Sequence, residues 1–450
     1  MNYYLLVLLV ASLGALSFFG YRSAKKIKNY DNYFLAGRQL GIFSVCVSLL
    51  ATQIGGGVIL GTSQASYKYG IYGIFYTFGL SLGLIAVAFF GAKQLREKNV
   101  ATVAELFEKE YNSVFLKKIA SIISITSLYG ILISLIISTK GFLVAFGMKN
   151  DLILYAFWVI LLTYTILGGI RAVVYINMVK ITLIFIVFTS VIAYYAIERF
   201  EFLQFSLDSL LVSIKPKGEI SFSDYIIVPF LFVFIEQDMA QNFFAAKNTK
   251  VAYISAFLAG VLLLLFSFIP VIFGVAARSI GNIPDGANEM MFFFTQTSNG
   301  FVTLATSVAT LCAILSTGDA LLCAISSNLA LDFKTKSKNS LLHTRIITIA
   351  LGVGAIALAH YFNDIIKIML ISYEVMVCTL FLPIVTSYFN FKNTTAFAYI
   401  SIILGIVGFI SYQKFVVLFE HNISREIFCI LLALFAFPLS RVYTLSQAKN

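Results

Sequence analysis

The stretch "ATQIGGGVILGTSQASYKYG" (51–70) decides how this chain folds. It lies in a long apolar region, yet it carries Gly55, Gly56 and Gly57 in succession, Gly61 soon after, and a run of hydroxyl and amide side chains. Each glycine weakens a helix by roughly 1 kcal/mol relative to alanine. Glycine also permits local unwinding and close approach of the backbone by a ligand. Small residues line tight helix interfaces too, but three in a row exceed what one interface asks for. Backbone that unwinds at membrane depth leaves carbonyls that protein, water or a ligand must satisfy. Such carbonyls suit a hard cation such as Na+.

The rest of the chain supplies the membrane. Its 450 residues are 60% hydrophobic and 12% charged, with mean hydropathy +0.91. A soluble domain is about 45–50% apolar and about 25% charged. The composition therefore describes an all-α polytopic membrane protein without a large soluble domain. The net charge of +11 fits basic residues in short cytoplasmic loops better than it fits nucleic acid. Cys46, Cys312, Cys323, Cys378 and Cys429 all fall in apolar stretches, with no CxxC pair, and read as small buried hydrophobes. At the N-terminus the basic residues follow the apolar run, which predicts a retained helix with its start outside rather than a cleaved leader.

A spanning helix needs about 20 apolar residues. About thirteen such segments are legible, near 3–21, 41–65, 71–92, 119–140, 152–169, 173–197, 224–244, 252–277, 301–330, 343–361, 364–389, 396–413 and 424–443. With the N-terminus outside and the C-terminus inside, about 21 of the 32 Lys and Arg residues fall on the inner side, the bias that sets orientation. The segment 100–112 has helical spacing, with Val103, Leu106 and Phe107 on one side, and predicts an interfacial helix. A break is expected at Gly55–Gly57 and another at Pro229, five segments later. Interrupted helices at corresponding positions of two halves point to a secondary transporter built from inverted repeats.

Two further stretches carry chemistry. In "LCAILSTGDA" (311–320), Ser316, Thr317 and Asp319 put two hydroxyls and a carboxylate within one turn. Hydroxyls often bond back to their own helix. An unpaired carboxylate in a bilayer costs several kcal/mol, about +2.5 to +3.5 on insertion scales, so Asp319 needs a cavity, a cation or a basic partner. In "TYTILGGIRAVVYINMVK" (163–180), Asn177 and Lys180 lie three apart on one helix face. Lys180 either snorkels toward the cytoplasmic side or serves the mechanism.

At these stretches the chain resembles the sodium:solute symporter family of sugar, proline, pantothenate and sialic acid carriers. The resemblance includes "YFLAGRQLG" (33–41), "LGGIRAVVY" (167–175), "QNFFAAKN" (241–248) and "AILSTGDALLCAISSNLALD" (313–332), in family order. It implies a LeuT-type 5+5 inverted repeat in a single transporter domain. Residues 1–40 would be an extra helix and basic loop, 41–197 the first repeat, 224–389 the second, and 396–450 two C-terminal helices. It also implies a sodium site formed by the carbonyls of Ala51, Ile54 and Ala313 and the hydroxyls of Ser316 and Thr317.

Three positions depart from the family pattern. Ile176-Asn177 stands where Thr-Asp is usual, Lys180 where Gln is usual, and Asp319 where members with a second sodium site use Ser. We expect Asp319 and Lys180 to pair, the ammonium replacing a second cation and leaving one Na+ per solute. A proton-driven carrier working through Lys180 is the alternative, and the Ser316–Thr317 pair argues against it. For the solute, Thr52, Gln53, Gly56, Val58, Thr77 and Phe232 are expected contacts; Gln237 is read as a gating residue, and Glu236 either contacts a cationic substrate or gates the cytoplasmic side. Sugar-carrying members place polar groups where this chain has Val58, Thr77, Leu80 and Pro229. That disfavours a hexose and leaves an amino acid, a carboxylate or a similar small metabolite. His343, His360 and His421 are scattered and form no catalytic set, so an enzyme is not expected. A membrane sensor would need a signalling module, and none is expected here. The reading is a monomeric symporter in a cell membrane, a bacterial inner membrane by its composition, with a small solute, Na+ and lipid as its partners.

Overall fold

The computed structural model describes residues 35–148, 150–210, 224–333, 340–389, 394–419 and 423–447. The expected first span at 3–21 and its basic loop lie outside them. The described backbone is helical throughout, apart from turns and one parallel bridge between Leu40 and Ala246.

The decisive stretch is interrupted. Helix α1 (Ile42–Gln53) unwinds at 54–56, a π-helical turn follows (Gly57–Gly61), and α2 (Thr62–Tyr69) continues the run. Gly70 stops α2 with φ 66°, a conformation glycine adopts without a steric penalty. The chain then enters α3 (Ile74–Phe90). Two short helices, α4 (Ala92–Lys98) and α5 (Glu105–Tyr111), lead to α6 (Val114–Ala145). Next come α7 (Asp151–Glu198) and α8 (Phe200–Leu210). The second interrupted pair is α9 (Asp224–Phe232) and α10 (Gln237–Ala245). Then follow α11 (Thr249–Ala276), α12 (Glu289–Thr297) and α13 (Gly300–Ser327). The run closes with α14 (Ser340–Leu358), α15 (Ile365–Tyr388), α16 (Thr395–Phe419), α17 (Arg425–Leu434) and α18 (Ala436–Gln447). Among the described residues, eight helical runs are long and apolar enough to cross a membrane.

The run α7 covers both segments expected at 152–169 and 173–197. Thr165 and Lys180 both bond the carboxylate of Asp319. A straight helix would separate their Cα atoms by about 22 Å at 1.5 Å per residue. The helical run is therefore not straight between them, and both expected segments fall within this one run.

Glycines let the central helices meet. A Cβ on Gly79 would collide with the backbone of Ile226 on α9, and one on Gly83 would press on Phe230. On the outside, Phe43, Phe115, Ile186, Leu265 and Ile410 are exposed. A large exposed apolar surface of this kind belongs against lipid rather than water.

Two local expectations change. The helix expected at 100–112 is α5, starting at Glu105, and its apolar face is covered by protein: Val103, Leu106 and Phe107 are buried, and Tyr111 donates to the carbonyl of Pro383 at 2.6 Å. The second break falls at 233–236, a turn past Pro229. Pro229 lies inside α9, and the helix runs on to Phe232 before it breaks, so the proline does not itself end the helix.

The two ends of the bundle differ. At one, Leu40 N–H donates to the Ala245 carbonyl at 3.2 Å, and Lys247 N–H to the Leu40 carbonyl at 2.9 Å. Arg96 Nε caps Ala246 at 2.6 Å, and the Arg38 guanidinium donates to the carbonyl of Val100 at 3.2 Å. At the other end a vestibule of about 770 Å³ opens between α2, α6 and the loops at 282–288 and 362–365.

Candidate functional site

The two breaks face each other at the centre. Gln53, the last residue of α1, donates from Nε2 to Glu236 Oε2 at 2.8 Å, across the break that follows α9. Beside this bond lies a small cavity bounded by Gln53, Glu236, Asp238, Tyr76, Met369 and Tyr373, with room for the centre of about one water, about 10 Å³. The cavity is closed in this state. Ile365 lines the vestibule and Met369 the cavity, so one turn of α15 separates them.

Each of the three glycines is met by a different helix. A Cβ on Gly55 would collide with Thr317 on α13, one on Gly56 with Ser138 on α6, and one on Gly57 with Met369 on α15. Packing thus explains more of the triplet than its sequence suggests, because the unwound segment is the point where three helices converge.

The oxygens expected to hold Na+ gather on the α13 side. Thr317 Oγ1 donates to the carbonyls of Ala51 at 3.2 Å and Thr52 at 3.1 Å. Ser316 Oγ bonds back to Ala313 at 2.9 Å. A hydroxyl that donates its proton keeps lone pairs for an ion. The set is all oxygen and carries no formal charge, which suits a hard monovalent cation. No contact joins Ile54 to the hydroxyls in this arrangement. Thr52 is an added carbonyl that the sequence did not single out.

Farther along α13, Lys180 Nζ donates to Asp319 Oδ2 at 2.7 Å, and Thr165 Oγ1 donates to Oδ1 at 2.5 Å. The lysine side chain is 2% exposed and the aspartate 0%. Lys180 therefore does not snorkel; it neutralises Asp319. Asn177 is buried nearby on the same run, and its Oδ1 meets no donor among the described residues.

Several expected solute contacts stand elsewhere. Gly56 faces Ser138 instead of the cavity, and Val58 is buried away from it. Thr77 donates back to the Ile74 carbonyl at 2.9 Å, and its neighbour Tyr76 takes the cavity position. Phe232 stands behind Tyr373, ring on ring at 3.9 Å. Gln237 turns outward: its Oε1 accepts from Val103 N–H at 2.7 Å, tying the second break to the entry of α5. Asp238, Tyr373 and Met369 were missed. Asp238, two residues after Glu236 at a helix break, was the legible one of the three.

Two interrupted helices meeting at the centre, a cavity between them and a vestibule at one end define a multi-pass membrane transporter of the LeuT-type inverted-repeat fold. The family model of the sodium:solute symporter family matches residues 33–405, well over half of the chain, and the chain belongs to that family. The human high affinity choline transporter 1 is 30% identical over 193 residues, 41% of this chain and 32% of that protein. The osmoregulated proline transporter OpuE of Bacillus subtilis (strain 168) is 28% identical over 177 residues, 37% of this chain and 36% of that protein. The matched stretches thus span about a third of these relatives' length. In structure, the chain resembles a Na+-coupled sialic acid symporter in a substrate-bound outward-open state, with TM-score 0.74 and 16% identity over 97% of this chain and 95% of that one. It also resembles a nucleobase-cation-symport-1 family transporter in a closed conformation, with TM-score 0.61 and 14% identity over 92% and 95% of the two chains.

Proposed function

We propose that this protein is a secondary active transporter that couples entry of a small solute to Na+ by alternating access. The observation that carries the reading is the neutral oxygen set where α1 unwinds against α13, with Thr52 and Thr317 lining the closed central cavity. The carbonyls of Ala51, Thr52, Ile54 and Ala313 and the hydroxyls of Ser316 and Thr317 would hold the ion. Because Thr317 bridges to the unwound end of α1, sodium there would fix the break and with it Gln53, which borders the cavity. Binding of ion and solute would be linked through that one segment.

The solute is small and not a hexose. Val58, Leu80 and Pro229 offer no polar contact, and Thr77 is bonded to its own helix. Orientation with the N-terminus outside turns the vestibule outward and makes the sealed end cytoplasmic. The first and second repeats would span 41–197 and 224–389, in a monomer of a bacterial inner membrane. The Lys180–Asp319 pair replaces a second cation, giving one Na+ per solute. Burial of an ionisable lysine favours a second reading, proton coupling through the same pair.

A thermal-shift and uptake experiment on purified protein tests the reading. Na+ should stabilise the protein relative to K+ through mass action, and a sodium gradient should drive concentrative uptake in proteoliposomes. The Ser316→Ala, Thr317→Ala double variant should lose the sodium response. A response retained in that variant rejects the ion site, and uptake driven equally by a pH gradient without Na+ favours the proton reading.

A further inference from the structure

Glu236 and Asp238 lie side by side at the central break, 4% and 3% exposed, and their carboxyl groups are in direct interaction. Gln53 gives Glu236 one donor. Asp238 Oδ1 accepts from Met239 N–H at 3.2 Å, while Oδ2 meets no donor among the described residues. Among the described residues, no lysine, arginine or histidine lines the cavity they border. Two other buried acids have a base: Asp319 has Lys180, and Glu374 has Arg425 at 2.8 Å. Two carboxylates in contact cannot both stay ionised in a low-dielectric site unless a positive charge joins them.

The facing wall suits such a charge. Tyr76 and Tyr373 are near-parallel, with 16° between ring planes and centroids 6.4 Å apart. Phe232 backs Tyr373 at 11°. Aromatic faces attract a cation placed within about 6 Å of the ring centroid. Met369 fills the space between, its sulfur accepting from Tyr76 Oη at 3.4 Å. A methionine is flexible enough to yield that space to a ligand.

We propose that the transported solute carries a positively charged nitrogen, which docks against Glu236 and Asp238 beside the rings of Tyr76 and Tyr373. This rests on the symport reading and narrows it. A purely anionic solute would meet two acids and no base, so the carboxylate option raised by the sequence is dropped. A neutral solute would leave the acids to be compensated by a proton alone. Thr52 and Thr317 of the sodium set line the same cavity, but that set is uncharged, so Na+ and the solute's nitrogen would rest on different groups.

The test uses the full chain in lipid nanodiscs, with thermal stability read in Na+ and in K+. The probes are choline, glycine betaine, ethanolamine and proline, with 3,3-dimethylbutanol, glucose and succinate as comparators. In Na+, at least one of the four nitrogen cations or zwitterions should stabilise the protein. 3,3-Dimethylbutanol, the neutral carbon isostere of choline, should not. Glu236→Gln and Asp238→Asn should each raise the half-saturating concentration about tenfold or more, as loss of one charge contact predicts. Should none of the four act while Na+ itself stabilises, or should the neutral isostere match choline, the inference is overturned and the symport reading survives. If Na+ and K+ act alike, symport fails instead, and a response to the nitrogen probes would still stand as binding. The isostere comparison is made on the unmodified protein, so it decides even where a variant does not fold.

Discussion

Of the neighbourhoods that bury carboxylates in this molecule, two solve the same problem differently. Around Asp319 the charge is closed: Lys180 supplies the cation and Thr165 a further donor. Around Glu236 and Asp238 the charge is open: one side-chain donor, one backbone donor, aromatic walls and, among the described residues, no base lining the cavity. A closed group holds helices together, whereas an open one holds energy in reserve for something that arrives. Removing a charge should therefore have opposite consequences at the two places.

The largest effect is expected at the closed pair. Lys180→Ala or Asp319→Ala should cost about 3–5 kcal/mol, the usual penalty for stranding one member of a buried ion pair. Replacing both with apolar residues should recover much of that. Chemical denaturation in detergent measures it, and singles no worse than the double would break the comparison. Next comes Gly55→Ala, whose new methyl group meets Thr317. Overpacking of this kind costs about 1–3 kcal/mol, and the sodium-dependent rise in melting temperature should shrink with it. Smaller still is the effect on stability at the open pair. Asp238→Asn should stay within about 1 kcal/mol of the parent or exceed it, because it relieves like-charge contact, while uptake falls sharply. A loss of stability as large as that of Asp319→Ala would erase the distinction.

The smallest effect is a pH slope in the vestibule. Glu289 borders it, 8% exposed, and burial raises its pKa above 4.5, with Lys68 opposing the shift. A carboxyl whose folded pKa is raised holds its proton more tightly when folded. Its contribution is present below the unfolded value and is lost as pH rises through the folded one. Glu289→Gln should flatten that decline in a melting-temperature series run upward from pH 4.5.

Much of the architecture was legible because it follows from composition and from glycine. Spans show as apolar runs, and Gly55–Gly57 marks a break in any helix. Pro229 misled by a turn: it lies inside α9, which continues to Phe232 before the break. The second break is placed instead by Glu236 and Gln237, through partners about 130 to 180 residues away in sequence, at Val103 and Gln53. The cavity wall was illegible for a related reason. In a chain that is 15% aromatic, nothing local separates Tyr76 or Tyr373 from a ring that faces lipid. Asp319 and Lys180 were legible as a pair because charge is rare in apolar segments and must find charge.

The two ends of the bundle also set a clock. Toward the vestibule, a single turn of α15 and the flexible side chain of Met369 stand over the cavity, and side-chain rotation takes ps–ns when unhindered. At the sealed end, release must part Leu40 from Ala245 and Lys247 and free the carbonyls capped by Arg96 and Arg38. Collective helix motions of that kind belong to μs–ms. On the transport reading, exchange with the vestibule side would be the faster step and release at the sealed end the slower. Turnover would then answer to substitutions at Arg96 and Arg38 more than to any change at Met369.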